Sequence, residues 1–124
     1  MTLFLLACTA GDPVDTGGAP ALRIVAPREG DTTCGTPLHV EVEVQHFELV
    51  PPGDSGDVAE PGTGHVDITL NGQEAAMSWE ASTDIGGVSD GAWQLKAELS
   101  NADHSPVDPY VGQFIYITVD SGAC

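Results

Sequence analysis

Positive charge is what this sequence has least of. Arg23, Arg28 and Lys96 are its basic side chains, against 19 acidic ones, and the formal charge is −16 at pH 7. So acidic a surface repels phosphate backbones, and nucleic-acid binding is not expected. Cations and basic partners are attracted instead, although a solvated, soluble face accounts for the same charge. Long apolar runs are also missing. No segment approaches the roughly 20 apolar residues a membrane-crossing helix needs. Catalytic signatures are absent as well: there is no G-x-S-x-G elbow, no phosphate loop and no H-E-x-x-H. Neither a serine nor a cysteine has an evident base beside it, so no enzymatic activity is expected. No internal repeat and no convincing helical pattern appears.

What remains points to strands. The 124 residues are 41% hydrophobic and include 15 glycines and 9 prolines. That is enough for one domain with a core, built from short strands and many turns. The clearest stretch is 91–119. Trp93, Leu95, Ala97 and Leu99 alternate with Gln94, Lys96, Glu98 and Ser100, the period of a strand with one buried and one wet face. Ile115, Ile117 and Val119 share a face, and Phe114, Tyr116 and Thr118 share the other. The segment 101–109 between them is rich in Asn, Asp, Ser and Pro, which is turn chemistry.

Upstream, residues 22–26 (LRIVA) read as a short strand stopped by Pro27, and 28–36 as a turn region. Residues 38–47 (LHVEVEVQHF) alternate valines with charged or polar residues. His39 and His46, seven apart on that strand, fall on opposite faces. Residues 48–64 form the longest irregular stretch, with a composition that predicts a mobile excursion. Residues 65–70 (HVDITL) are a strand, and Asn71-Gly72 is the strongest short hairpin signal, with 73–79 as partner. Residues 80–90 read as a loop. The sum is an all-β chain, an antiparallel immunoglobulin- or fibronectin-like sandwich of about six or seven strands.

The N-terminus carries an address. Leu5-Leu6-Ala7-Cys8 looks like a bacterial lipoprotein signal box, in which the cysteine is lipidated. The segment has no positive region before it, and its apolar run is shorter than the usual ~7–15 residues. A start upstream, or a shortened signal, is therefore expected; the bland alternative is a buried strand with an ordinary cysteine. Residues 9–21 are small, polar and rich in Gly, Pro and Asp, the composition of a flexible tether. The organisation is then a signal at 1–8, a tether at 9–21 and a sandwich at 22–124. The address is the bacterial cell envelope, at the outer membrane or cell surface, reached through a lipid anchor. Cys34 and Cys124 remain, and an oxidising compartment predicts that they pair.

Three segments resemble a known group. They are Ile24-Val25-Ala26-Pro27-Arg28-Glu29-Gly30, Gly62-Thr63-Gly64-His65-Val66-Asp67-Ile68 and Asn101-Ala102-Asp103-His104-Ser105-Pro106. They are similar to bacterial exported sandwich domains of unassigned function. Those domains carry an "I-x-x-P-x-x-G" start, a strand opening "T-G-H" with one or two further histidines, and a hairpin loop like "D-x-N-H-x-P". The resemblance implies a sandwich fold and export, and no established reaction. This chain keeps only His65 of the histidine-rich strand.

Candidate ligands follow from spacing. His65 and Asp67 lie two apart on one strand and share a face. His104, on a loop, is placed to reach that face. Two imidazoles and a carboxylate suit zinc or copper(II). The alternative stays open, in which His65 bonds the neighbouring loop and His104 holds its turn through a backbone bond. Acid-rich loops at 54–60 and 84–90 offer oxygen ligands to calcium, without the dense Asp spacing of a calcium motif. Trp79 and Trp93 continue apolar alternations and read as core, whereas Phe47, Phe114 and Tyr116 are candidates for an exposed aromatic patch. The expected function is that of a lipid-anchored, non-catalytic binding or structural module with a protein or glycan partner and no resident cofactor. A metal-binding envelope protein using His65, Asp67 and His104 is the alternative.

Overall fold

The computed structural model describes residues 18–51 and 62–124. The signal, most of the tether and the middle of the long excursion lie outside the described residues. So do Cys8 and the acidic loop at 54–60.

Among the described residues nine β segments follow one another: β1 (Ala21–Ala26), β2 (Thr32–Thr33), β3 (Leu38–Gln45), β4 (Glu48–Leu49), β5 (Thr63–Leu70), β6 (Gln73–Ser78), β7 (Ser82–Ile85), β8 (Gly91–Asn101) and β9 (Gly112–Val119). They form two sheets. The larger has six strands in the order β2-β9-β8-β5-β4, with β6 also paired to β5; the smaller has three, in the order β1-β3-β7. Most pairings are antiparallel, and the two-residue strands β2 and β4 add parallel contacts to β9 and β5. The expected all-β sandwich is what the chain forms.

Alternation decides which side chains enter the core. Leu38, Val40 and Val42 of β3 are buried while His39 and Glu43 are exposed. Leu95, Ala97 and Leu99 of β8 face the same core as Ile115, Ile117 and Val119 of β9. Phe114 and Tyr116 point to water, as their alternate positions dictate. Asn71 and Gly72 take positive φ of 51° and 84°, joining β5 to β6 in the two-residue turn the pair favours.

Three features depart from the sequence expectation. Residues 82–85, expected in a loop, form β7 and pair with β3, and Ile85 enters the core. The short strands β2 and β4 are too brief for a periodic pattern to show. Trp79, expected in the core, is 40% exposed. Strand β6 ends at Ser78, whose hydroxyl donates to the Glu80 carbonyl at 3.0 Å and accepts from its N–H at 3.1 Å. Met77 lies opposite Asp67 on the outer face and Ser78 opposite Val66 on the core face, so the alternation itself turns Trp79 outward.

Cys34 and Cys124 form a disulfide across a sequence separation of 90, with Cα atoms 4.8 Å apart. It ties the segment after β2 to the chain beyond β9. A Cβ on Gly35, the residue after Cys34, would overlap the Val88 carbonyl oxygen, so the chain can pass there only as glycine. Replacing both cysteines by serine is expected to lower stability by roughly 4–5 kcal/mol at most, the loop-closure value for a loop of this length. Guanidinium unfolding of the oxidised protein and the double variant measures it. Equal midpoints and slopes would show that the bond contributes nothing.

Candidate functional site

Strand β5 carries the site because it faces two ways. Val66, Ile68 and Leu70 fill the core, and His65, Asp67 and Thr69 stand on the opposite face. That face is an outer one, yet His65 is 0% exposed. The cover comes from the β8–β9 hairpin loop. His65 lies opposite Ser100 in the β5–β8 ladder, where β8 ends and the loop turns back. A β-bridge joins Ser100 to Pro106. Asn101 N–H donates to the Ser105 carbonyl at 2.9 Å, and His104 N–H donates to the Asn101 carbonyl at 2.8 Å. The Asn101 side chain donates to Ser105 Oγ and the Pro106 carbonyl, and Asp103 accepts from Ser105 N–H. His104 adopts a φ of 72° within this turn. Its ring stands edge-on to that of His65, with centroids 5.0 Å apart.

The structure thus brings together the three residues that spacing had singled out. His65 Nε2 lies 3.3 Å from Asp67 Oδ1. The separation is that of an ion pair, but the alignment is not that of a hydrogen bond, and among the described residues neither ring nitrogen of His65 has a hydrogen-bond partner. Burial pushes the His65 pKa down, against the pull of the Asp67 carboxylate, and burial pushes that of Asp67 up. Glu74 and Glu98 add negative charge around the pair. Among the described residues, no three His, Cys, Asp or Glu side chains stand in a ready-made coordination cage. His104 also holds its turn through its backbone, as the alternative reading supposed.

Gly64 explains why glycine precedes this histidine. A Cβ there would overlap the Ser100 carbonyl oxygen, so any other residue would force β5 and β8 apart beside the site.

The other candidates separate. In the acidic loop at 84–90, Asp84 contacts His39, and Asp90 accepts from Ser121 N–H and hydroxyl at 2.9 and 3.1 Å. Those two carboxylates are engaged apart from each other. Trp93 is half-buried, its indole N–H donating to the Ser89 carbonyl at 2.9 Å. Phe47 packs half-buried against the core. Phe114 and Tyr116 are 53% and 54% exposed and touch edge-to-face at 5.9 Å. Tyr110 joins them at 59% exposure, its hydroxyl donating to Glu98 at 3.0 Å. Tyr110 was not legible beforehand, because it follows Pro109 in a loop without periodicity. An open cleft of about 470 Å³ lies between β6 and β7, lined by Trp79, Met77, His39 and Asp84 among others.

No family model matches the chain, and no curated protein matches it. Solved structures do resemble it. The fibronectin(III)-like modules of Clostridium thermocellum CbhA superpose with a TM-score of 0.56 at 16% identity, covering 81% of this chain and 96% of that one. A crystal structure of an engineered protein superposes with a TM-score of 0.54 at 11% identity, covering 91% of this chain and 22% of that one. At such identities the likeness shows the fold, a fibronectin(III)-like sandwich, and nothing of ligands.

One charged cluster yields a pH prediction. His39 Nδ1 lies 2.6 Å from Asp84 Oδ1 and Nε2 lies 3.2 Å from Glu41 Oε2. The bond to Asp84, then that to Glu41, raises the pKa of His39 above 6.5. A raised folded pKa means the folded state holds the proton more tightly. The resulting stability is full below pH 6.5 and lost as pH rises through the raised value. In an NMR titration the His39 ring is expected to titrate above 6.5, and Asp84→Asn to bring the midpoint down. An unchanged midpoint in the variant would contradict the assignment.

Proposed function

We propose that this chain is a lipid-anchored binding module of a bacterial cell envelope, with no catalytic role. The observation that carries the binding reading is the aromatic patch on the outer face of the larger sheet. Tyr110, Phe114 and Tyr116 are all more than half exposed there. The Tyr110 hydroxyl lies over Gly112, where a Cβ would collide with it, so the three side chains follow one strip along β9. Large aromatic side chains left in water cost hydrophobic free energy, and contiguous apolar patches mark interaction sites. Tyrosine and its like dominate binding energy at interfaces. A rigid sheet holds them in place, and the adjoining 101–109 loop extends the surface, as loops on sandwiches commonly do.

The lipid anchor rests on the Leu5-Leu6-Ala7-Cys8 box and on the small, polar segment at 9–21. Together they would hold the sandwich off a membrane, at the outer membrane or cell surface. The partner is a protein or a glycan. The negative charge disfavours nucleic acid.

The test uses the full chain in its native host. Wild-type protein is expected in the membrane fraction with acyl mass on Cys8, and Cys8→Ser in the soluble fraction. A photo-reactive residue at 114 is expected to give a discrete adduct in intact cells, and the same residue at 43, an exposed position of β3 in the smaller sheet, none. An unmodified Cys8 in a soluble wild-type protein contradicts the anchor. Equal labelling at 114 and 43, or none at either, contradicts the binding face.

A further inference from the structure

A fully buried histidine whose two ring nitrogens have no hydrogen-bond partner among the described residues is an anomaly, because buried polar groups are almost always satisfied. The positions of its neighbours say what would satisfy it. Donors held about 2.0–2.2 Å from one tetrahedral zinc stand roughly 3.3–3.6 Å apart. His65 Nε2 and Asp67 Oδ1 are 3.3 Å apart, a spacing at which they share an ion more readily than a proton. Two imidazoles on such an ion place their ring centroids roughly 5 Å apart by the same bond lengths. The rings of His65 and His104 are 5.0 Å apart. We propose that His65, Asp67 and His104 bind one divalent transition-metal ion, zinc or copper(II), with a fourth position left to water.

The cage closes by a local movement. His104 is exposed and its ring already meets that of His65, so rotation of that one side chain about its own axis aims a ring nitrogen at the ion. Its backbone need not move, since the Asn101 carbonyl holds it. The Asp67 side chain is 23% exposed and opens the path by which the ion enters. Glu74 and Glu98 sit around Asp67, and the formal charge of −16 favours a divalent cation. Imidazole and carboxylate together suit zinc and copper(II), whereas calcium takes oxygen ligands alone. None of the three ligands belongs to the anchor or to the strip of Tyr110, Phe114 and Tyr116, so metal binding is read out separately from either.

The test titrates zinc sulfate, then copper(II) sulfate, into the chelator-stripped full chain with its disulfide intact, by calorimetry and native mass spectrometry. One ion per chain is expected, with a micromolar or tighter Kd. His104→Gln, an exposed change that leaves the core intact, is expected to weaken binding at least tenfold. His65→Gln and Asp67→Asn are expected to do the same, and His39→Gln to leave it unchanged. NMR of the wild-type chain guards against misfolded variants, with the ring signals of His65 and His104 shifting together at one equivalent of zinc. Binding no tighter than millimolar for both metals would overturn the proposal. So would tight binding that survives His104→Gln or shifts only the His39 and His46 rings.

Discussion

The pairing of β5 with β8 is the constraint on which the rest depends. Seven residue pairs, from Gly64 opposite Asn101 to Leu70 opposite Leu95, fix the two strands in one register. On one face that register sets Val66, Ile68 and Leu70 among Leu95, Ala97 and Leu99, and so builds the core. On the other it sets His65 beside Ser100 and Asp67 beside Glu98. A slip of one residue would exchange the faces, sending Val66 outward and His65 into the apolar interior. Burial therefore specifies the site as firmly as it specifies the core. Gly64 belongs to the same constraint, because only glycine lets β5 approach the Ser100 carbonyl.

Ion pairs contribute little to holding this molecule together. Arg23 and Glu43 meet at 2.7 Å and Lys96 and Glu98 at 3.5 Å, but the side chains are solvent-accessible, and such pairs are worth about 1 kcal/mol or less. With so few basic residues, most carboxylates repel one another across the surface. The apolar core and the disulfide offset that repulsion. Cys34 and Cys124 close the chain on itself where β9 has its short parallel contact with β2. The aromatic strip lies on the outward face of β9, so the strand that is tied down also carries the proposed binding surface.

The sequence showed its long strands plainly and its short ones hardly at all. In β3, β8 and β9 the alternation runs for eight or more residues and sorts core from outer face, except that Ser100, expected on the wet face, is buried. Asn71-Gly72 announced its turn because few other pairs tolerate two positive φ values. Strand β7 has four residues, of which only Ile85 is buried, so no period could reveal it. Trp79 misleads because Met77, with which it alternates, stands opposite Asp67 on the outer face and not in the core. At the site, spacing placed His65 and Asp67 on one face and set His104 within reach. It could not show that the hairpin loop folds down over His65, since that cover comes from the hydrogen bonds of Asn101 and Ser105.

The claim that the β5–β8 register places His65 beneath the hairpin loop is open to direct measurement. Solution NMR of the disulfide-bonded chain should show cross-strand contacts between Val66 and Leu99 and between Asp67 and Glu98. It should also show contacts between the ring protons of His65 and His104. Those contacts together would establish the register and the cover in one experiment. Cross-strand contacts shifted by one residue, or a His65 ring in contact with solvent and remote from His104, would contradict the account.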